Sequence, residues 1–302
     1  MRYCTKSFLL AHFIFFLLVV SLFLPGEKKV EAPWSFLAAI LLMEAFFLFR
    51  MARKKNRLPS NGDLAALLYF GLLLWEVLTS KMNLLHPVLC PAPENVFHVF
   101  STQYKVLLGG VVSSMELLIL GFGLGISLGV LLGLVAGWVP RLRQSCFPIA
   151  QVLTPIPPVI YAPYLIALMP TFRSASFLVV FLGIFWPTFL NIILRVGSVE
   201  KRLIDSARTL NVNDTTMIRH ILFPYVLPGV VSGLRVTTTT AFMMLTFAEM
   251  MGATSGMGYY IINYTHYANY TNVVAGIILV GIVVTIINWI VGLVQERAIK
   301  WR

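Results

Sequence analysis

Apolar residues gather into eight long runs: about Phe8–Leu24, Trp34–Phe49, Leu64–Ser80, Val111–Trp138, Phe147–Met169, Ala175–Leu194, Pro224–Met250 and Asn272–Val294. A helix crossing a bilayer needs roughly 17–25 predominantly apolar residues. The pattern therefore predicts an all-α, polytopic membrane protein with about eight transmembrane helices. Arg2 and Lys6 precede the first run, as in a signal peptide. Its core is long for such a peptide and no A-x-A site follows, so a retained helix is expected.

Composition agrees with that pattern. Of the 302 residues 58% are hydrophobic and only 12% charged, with a mean hydropathy of +0.84. A soluble domain carries about 25% charged residues to cover its surface, so the solvent of this chain is lipid. The formal charge of +11 would raise nucleic acid as a partner in a soluble protein. Here the basic residues stand at the ends of apolar runs, and nucleic acid is not expected.

Their distribution sets the orientation, because cytoplasmic loops carry an excess of Lys and Arg. With the N-terminus inside, the inside segments hold 17 of the 23 Lys and Arg and the outside segments five, leaving Arg235 within the seventh run. Both termini are expected to be cytoplasmic, in the inner membrane of a bacterium. The first three runs are rich in Phe and Leu, whereas Gly, Pro, Thr and Asn enter from Val111 onward. Residues 1–57 read as an accessory N-terminal helix pair, and residues 64–302 as the working core.

Several constellations stand out in that core. Gly121, Gly125, Gly129, Gly133 and Gly137 recur every four residues and make one smooth helix face for a close neighbour. Tight packing within the subunit is the expected use; a moving interface is the alternative. The fifth run holds Pro155, Pro157, Pro158 and Pro163 and ends at Pro170. Each removes a helix hydrogen bond, and freed carbonyls at membrane depth must be met by protein or by water. A broken helix beside a path and a merely kinked one are equally open.

Glu249, near the outer end of the seventh run, is an acid that normally faces a bundle interior or a wet cavity. Together with Thr238, Thr246, Pro158 and Pro163 it is a candidate for the translocation path. Arg235 and Thr237–Thr240 lie earlier on the same helix, and Tyr259, Tyr260, Tyr264, Tyr267 and Tyr270 crowd the last outside loop as an interface belt. Glu44, Glu76 and Glu116 fall in or near spans at spacings that pair none of them. Cys4, Cys90 and Cys146 are scattered, with no metal-type spacing.

The long cytoplasmic loop, 198–223, is patterned. Val199–Leu210 reads as an amphipathic helix with Leu203, Ala207 and Leu210 on one face. Asn211 stands where a left-handed C′ residue belongs. Asn213 or Asp214 then caps a second helix over Thr215–Phe223, and Pro224 and Pro228 mark its turn into the membrane.

At this point the chain resembles the permease subunits of binding-protein-dependent ATP-binding-cassette (ABC) importers. Asp205-Ser-Ala-Arg-Thr-Leu-Asn211, running on to Leu222-Phe-Pro-Tyr-Val-Leu-Pro-Gly229, is similar to their "EAA" loop, which reads E-A-A, then Gly, then I-x-L-P. Cys90-Pro-Ala-Pro-Glu-Asn-Val96 resembles the "LPSPxxV" entry of the nitrate/sulfonate/taurine branch. Ala248-Glu249 with Gly256-Met-Gly258 resembles its "AE…GLG" stretch, and Thr154–Met169 its "PxxAxxPLxxxxFG" helix. The resemblance covers about Leu64 to Trp301. Asp205 and Ser206 replace the Glu and first Ala, and Asn211 replaces the Gly. Glu116 stands near a frequent Arg, Met169-Pro-Thr replaces a Phe-Gly turn, and the two N-terminal helices exceed the usual six.

The resemblance implies a type I importer core working as a homodimer. Each copy would dock Asp205, Ser206, Ala207, Arg208, Leu210 and Asn211 onto one of two cytoplasmic ATPase subunits, which bind ATP and Mg. An extracytoplasmic binding protein would deliver a small organic anion (sulfonate, taurine or nitrate-like), a vitamin precursor or a pyrimidine-like heterocycle. The sequence holds no Gly-Lys pair, hence no G-x-x-x-x-G-K-[ST] phosphate loop. This chain is expected to carry no cofactor and to be no enzyme; its five His are dispersed with no i, i+4 pair. A secondary transporter is the alternative, though no internal repeat of the kind that fold needs is visible.

Overall fold

A computed structural model describes residues 6–28, 30, 33–52, 59–86 and 88–298. Arg2, Cys4, Lys29, Arg53, Lys54, Lys55, Arg57, Lys300, Trp301 and Arg302 lie outside the described residues, and so does the Lys6 side chain. The elements are α1 (Lys6–Phe23), α2 (Pro33–Ala52), α3 (Pro59–Glu76) with a π-helical turn at Val77–Lys81, α4 (Pro93–Thr102), α5 (Tyr104–Trp138), α6 (Pro140–Leu153) and α7 (Pro158–Leu168). There follow α8 (Phe172–Gly197), α9 (Lys201–Thr209), α10 (Asp214–Thr216) with a second π-helical stretch at Met217–Leu222, α11 (Phe223–Met250), α12 (Met257–His266) and α13 (Tyr270–Ala298). No strand occurs among the described residues.

All eight apolar runs fall on helices, but they are not eight equal spans. Among the described residues six helical stretches are long and apolar enough to cross a membrane: Pro33–Met51, Gly62–Lys81, Tyr104–Trp138, Phe172–Gly197, Asp214–Met250 and Tyr270–Arg297. The first run is a shorter apolar helix, Ser7–Phe23. The fifth is α6 and α7 bent by 97°, so the prolines break the helix rather than kink it. Pro155 and Pro157 remove the donors on either side of Ile156, and Pro158 opens α7 at a position where a missing N–H costs nothing.

The chain divides into two compact units, one holding the residues up to Leu107 with Ile261–Ile278, the other Leu108–Tyr260 with the residues from Leu279. In the first, α1, α2 and α3 share a core of Ala11, Leu18, Phe36, Ile40, Phe47, Ala65, Ala66 and Tyr69. A polar triad crosses it. The His12 Nε2 lies 2.8 Å from Glu44 Oε1, Tyr69 donates its hydroxyl to Glu44 Oε2 at 2.7 Å, and His12 Nδ1 lies 2.9 Å from the Phe8 carbonyl. Fully buried Glu76 faces Lys81 at 3.3 Å, and Ser80 donates to Glu94 at 2.9 Å. In the second unit Glu116 pairs with Arg173. Each acid finds its partner on another element or across a π turn, which is why sequence spacing reveals none of the pairs.

The glycine stripe organises the second unit. A Cβ on Gly121, Gly125, Gly129, Gly133 or Gly137 would fall 2.8–3.0 Å from Val180, Ile184, Thr188, Ile192 or Val196 respectively. Each step of four on α5 meets a step of four on α8, so the two helices run parallel with their backbones in close approach. β-Branched side chains, stiff at χ1, fill the groove that the glycines leave. The stripe packs within the subunit. Beside it Gly183 seats Pro158, whose Cγ would lie 3.0 Å from a Cβ there, so the corner of the broken helix also rests on α8.

Candidate functional site

Two features of the second unit are built for work: a hairpin that ends the α8–α11 connection, and a polar cavity between α8 and α11. Asn211 adopts the left-handed conformation at φ 55°, as its place after α9 predicts. Asn213 is the cap of the next helix, its Oδ1 accepting from the Thr216 N–H at 2.8 Å. α10 passes through the π stretch into α11 without a break, whereas the sequence suggests a turn at Pro224. A proline ring clashes with the carbonyl four residues back in an α-helix. The wider π turn, with the Phe223 N–H reaching the Ile218 carbonyl, relieves that clash.

Ala207 is buried against Val196, Val199, Met217, Leu222 and Val226. Asp205, Ser206, Arg208 and Asn211 are exposed, and Leu210 is 79% exposed. Leu203 also faces outward, so the inward face of α9 is Ile204 and Ala207 rather than Leu203, Ala207 and Leu210. Trp138 at the end of α5 donates to Asp214 at 3.0 Å, and the Arg208 guanidinium lies 5.8 Å from its ring centre. Such a stack contributes about 0.5–1 kcal/mol at an exposed site. The hairpin is thus fastened to the membrane helices on one side and presents Asp205, Arg208 and Leu210 on the other.

The cavity measures about 220 Å³. Its polar lining is Thr188 and Asn191 from α8 and Thr237 and Thr240 from α11, with Gly183, Gly229 and Gly233 leaving room. Arg195 stands at one end. Its Nε donates to Asn191 Oδ1 at 2.7 Å, its guanidinium lies against Gly229, and no carboxylate among the described residues partners it. An amide and an arginine do not face hydrocarbon without penalty, so this face belongs to water or to another protein surface.

Of the proposed path residues none lines this cavity. Glu249 is buried and acts as a cap: Ser114 donates its hydroxyl to Oε1 at 2.6 Å, and Gly258 donates its N–H to Oε2 at 2.8 Å. The Met257 N–H donates to the same Ser114 oxygen at 2.9 Å. The carboxylate thus meets the orphan donors at the N-terminus of α12, where the helix dipole favours a negative charge. Gly256, at φ 119°, has no space for a Cβ, which would fall inside that carboxylate. Gly258 would bring one to 2.9 Å from Glu249 Cβ. The spacing Glu249…Gly256-x-Gly258 is therefore the footprint of one contact.

Thr246 donates to the Phe242 carbonyl at 2.9 Å, Thr238 is buried, Pro158 is buried against Gly183, and Pro163 is exposed. The residues that line the cavity had a faint signal in the sequence, since Thr188, Asn191 and Arg195 recur at three- and four-residue steps within an apolar run.

Comparison with known proteins follows the same lines. The family model described as "Binding-protein-dependent transport system inner membrane component" matches residues 125–300. The putative aliphatic sulfonates transport permease protein SsuC of Bacillus subtilis is 27% identical, covering 83% of this chain and 92% of its own. The taurine transport system permease protein TauC of Escherichia coli is 25% identical over 80% and 89%, and the nitrate import permease protein NrtB of Leptolyngbya laminosa 24% over 78% and 86%. Among solved structures, an inward-facing MetNI methionine ABC transporter chain superposes with a TM-score of 0.57 at 18% identity, covering 65% of this chain and 97% of that one. That likeness concerns the fold.

Proposed function

This chain belongs to the binding-protein-dependent transport system inner membrane component family, and on that premise we propose that its α8–α11 face conducts a small organic oxyanion of the sulfonate class. Being the permease subunit of an ABC importer, it sits in the inner membrane with several spans, and ATP hydrolysis belongs to a separate subunit. The observation that carries the substrate reading is the hydroxyl- and amide-lined cavity with Arg195 at its end. An arginine presents several N–H donors in a fork that suits an oxyanion. Three relatives are named for the transport of aliphatic sulfonates, taurine and nitrate, which points the same way. The partner binding protein decides the matter by calorimetric titration with taurine, an alkanesulfonate and nitrate against a pyrimidine. Binding of the pyrimidine alone would overturn the oxyanion reading and favour a neutral heterocycle.

In the same reading two copies of the chain enclose the path, two ATPase subunits carry ATP and Mg, and an extracytoplasmic binding protein delivers the cargo. Both termini and the α9 hairpin are cytoplasmic, as the distribution of Lys and Arg supports. The hairpin couples ATPase closure to α8 and α11 through Asp205, Ser206, Ala207, Arg208, Leu210 and Asn211. Its outward residues Asp205, Ser206, Arg208, Leu210 and Asn211 are exposed, with Arg208 stacked on Trp138, so they can meet a partner. Asp205→Ala with Arg208→Ala is expected to lower co-purification of the ATPase about tenfold while leaving membrane insertion intact. Removing two charge-assisted contacts of roughly 1.5–3 kcal/mol each is ample for that. Unchanged co-purification would remove the coupling role.

Residues 1–57 are proposed as an accessory pair and residues 64–302 as the transport core. Deleting Met1–Arg57 is expected to leave ATPase and binding-protein contacts in place, read by co-purification. The deletion frees the Tyr69 hydroxyl from Glu44 and uncovers Ala65, Ala66 and Tyr69 of α3, a cost confined to the end of α3 that packed on the lost pair. A truncated chain that captures neither partner would show those helices to be part of the transport core.

A further inference from the structure

Arg235 has no acidic partner among the described residues, and it lies on roughly the opposite face of α11 from the centre of the cavity. A polar seam runs between α11 and α13 at its level. Thr239 and Asn288 exchange a hydrogen bond at 3.1 Å, the Arg235 guanidinium rests against Gly292, and the Gln295 amide donates to the Val231 carbonyl at 2.7 Å. Positions 239, 235 and 231 on one helix meet 288, 292 and 295 on the other, an antiparallel register. Gly292 is what lets the guanidinium lie flat, because any Cβ there would collide with it. Thr239 and Asn288 satisfy one another, and Gln295 is satisfied by backbone. Arg235 is not: it is exposed, and among the described residues no hydrogen bond or ion pair involves its guanidinium. Beside it opens a recess of about 360 Å³, lined by Arg235, Val236, Thr239, Asn288 and Trp289.

Depth identifies what can meet those donors. α13 has 29 residues, about 44 Å at 1.5 Å per residue, against a hydrocarbon core of about 30 Å. Centred, it extends about 7 Å beyond the core at each end. Gly292 is six residues, or about 9 Å, from the last residue of the helix. The guanidinium therefore reaches the edge of the hydrocarbon on the side of the α9 hairpin, although its own Cα is deeper, as a snorkelling arginine does. Trp289, 64% exposed, is three residues or about 5 Å deeper than Gly292 on the same helix, from where its long amphipathic side chain can bring the indole N–H toward the interface. α13 is also the least covered of the long spans, with 11% of its apolar window buried.

We propose that Arg235, Asn288 and Trp289 form a binding site for the phosphate of a phospholipid headgroup in the leaflet on the α9 side, with preference for an anionic lipid. The chemistry is a charge-assisted fork on a phosphate oxyanion, with the indole at the acyl boundary. Its oxyanion could also come free from water as inorganic phosphate or as cargo; the exposed, Val236-flanked recess (Val236 is 73% exposed) and its interfacial depth favour the lipid. The site does not rest on the transport reading, since Arg235, Asn288 and Trp289 do not line the cavity, although Val236 borders both.

Native mass spectrometry of the full-length permease, with phosphatidylglycerol or phosphatidylcholine added, tests it. Wild type is expected to retain phosphatidylglycerol preferentially, and Arg235→Gln to lose that preference about fivefold, the share of one interfacial arginine. Arg235→Lys keeps the charge and is expected to keep most of the preference, which separates lipid loss from misfolding. Brominated phosphatidylglycerol should quench the emission lost in Trp289→Phe more than brominated phosphatidylcholine does. Equal retention of both lipids by wild type and Arg235→Gln overturns the proposal. So does displacement of the lipid by millimolar inorganic phosphate, which would assign a free oxyanion. Dissociation of paired copies in Arg235→Gln with lipid counts unchanged would make this face a contact between copies, and overturns it as well.

Discussion

Alanine at both Gly129 and Gly133 is expected to lower the melting midpoint of the purified permease by roughly 5–15 °C, whereas alanine at Gly123 leaves it unchanged or slightly raised. The contrast follows from what each new methyl would meet. At Gly133 it lies 2.8 Å from Ile192 Cβ and 3.1 Å from the Phe189 carbonyl oxygen; at Gly129, 2.9 Å from Thr188 Cβ and 3.2 Å from the Phe185 carbonyl oxygen. Neither neighbour is the end of a flexible side chain, so α5 and α8 must part. Overpacking of this kind costs about 1–3 kcal/mol per site, a large share of a total near 5–15 kcal/mol. Gly123 sits on the same helix with nothing within 4 Å, and there alanine gains about 0.5–1 kcal/mol of helix propensity. If the double variant and Gly123→Ala melt alike under a fluorescence-monitored scan, the stripe is not a packing seam.

Glu249→Ala and Gly256→Ala are expected to produce one and the same defect. Removing the carboxylate leaves the Ser114 hydroxyl and the Gly258 N–H without an acceptor, at about 1–3 kcal/mol for each buried group. Adding a methyl at Gly256 drives the same carboxylate away, and φ 119° adds backbone strain of about 1–3 kcal/mol for any other residue. Because both changes break one contact, their effects should fall short of additive by more than about 0.5 kcal/mol. Glu249→Gln keeps the shape and one acceptor and should melt closer to wild type. Thermal melts of the four proteins of the cycle check this. Strict additivity would mean that Glu249 and the glycine turn act separately, and would return the acid to the path-lining role its position in the sequence suggests.

How much was legible beforehand differs by level. The apolar runs locate every membrane-level helix, since a lipid-facing segment must satisfy its own backbone. Asn211 and Asn213 announce the turn and cap of the α9–α10 hairpin through local chemistry that reads the same in any fold. The prolines of the fifth run announce trouble, yet whether the helix bends or breaks depends on whether Pro158 finds a seat, and that seat is Gly183, 25 residues on. The glycine stripe declares a smooth face without naming the neighbour that fills it.

What the sequence by itself determined is the class of solvent, the helices, the hairpin chemistry and the family resemblance, because these rest on periodicity and on contacts within a few residues. What only the tertiary structure decided is who meets whom. It joins Glu44 to His12 and Tyr69, and makes Glu249 the cap of α12. It places Thr188, Asn191, Thr237 and Thr240 around one cavity with Arg195 at its end, and leaves Arg235 facing outward on the far side of α11. A polar side chain in a membrane takes its role from the partner that replaces water, and such partners lie on other helices, at separations that no local pattern records.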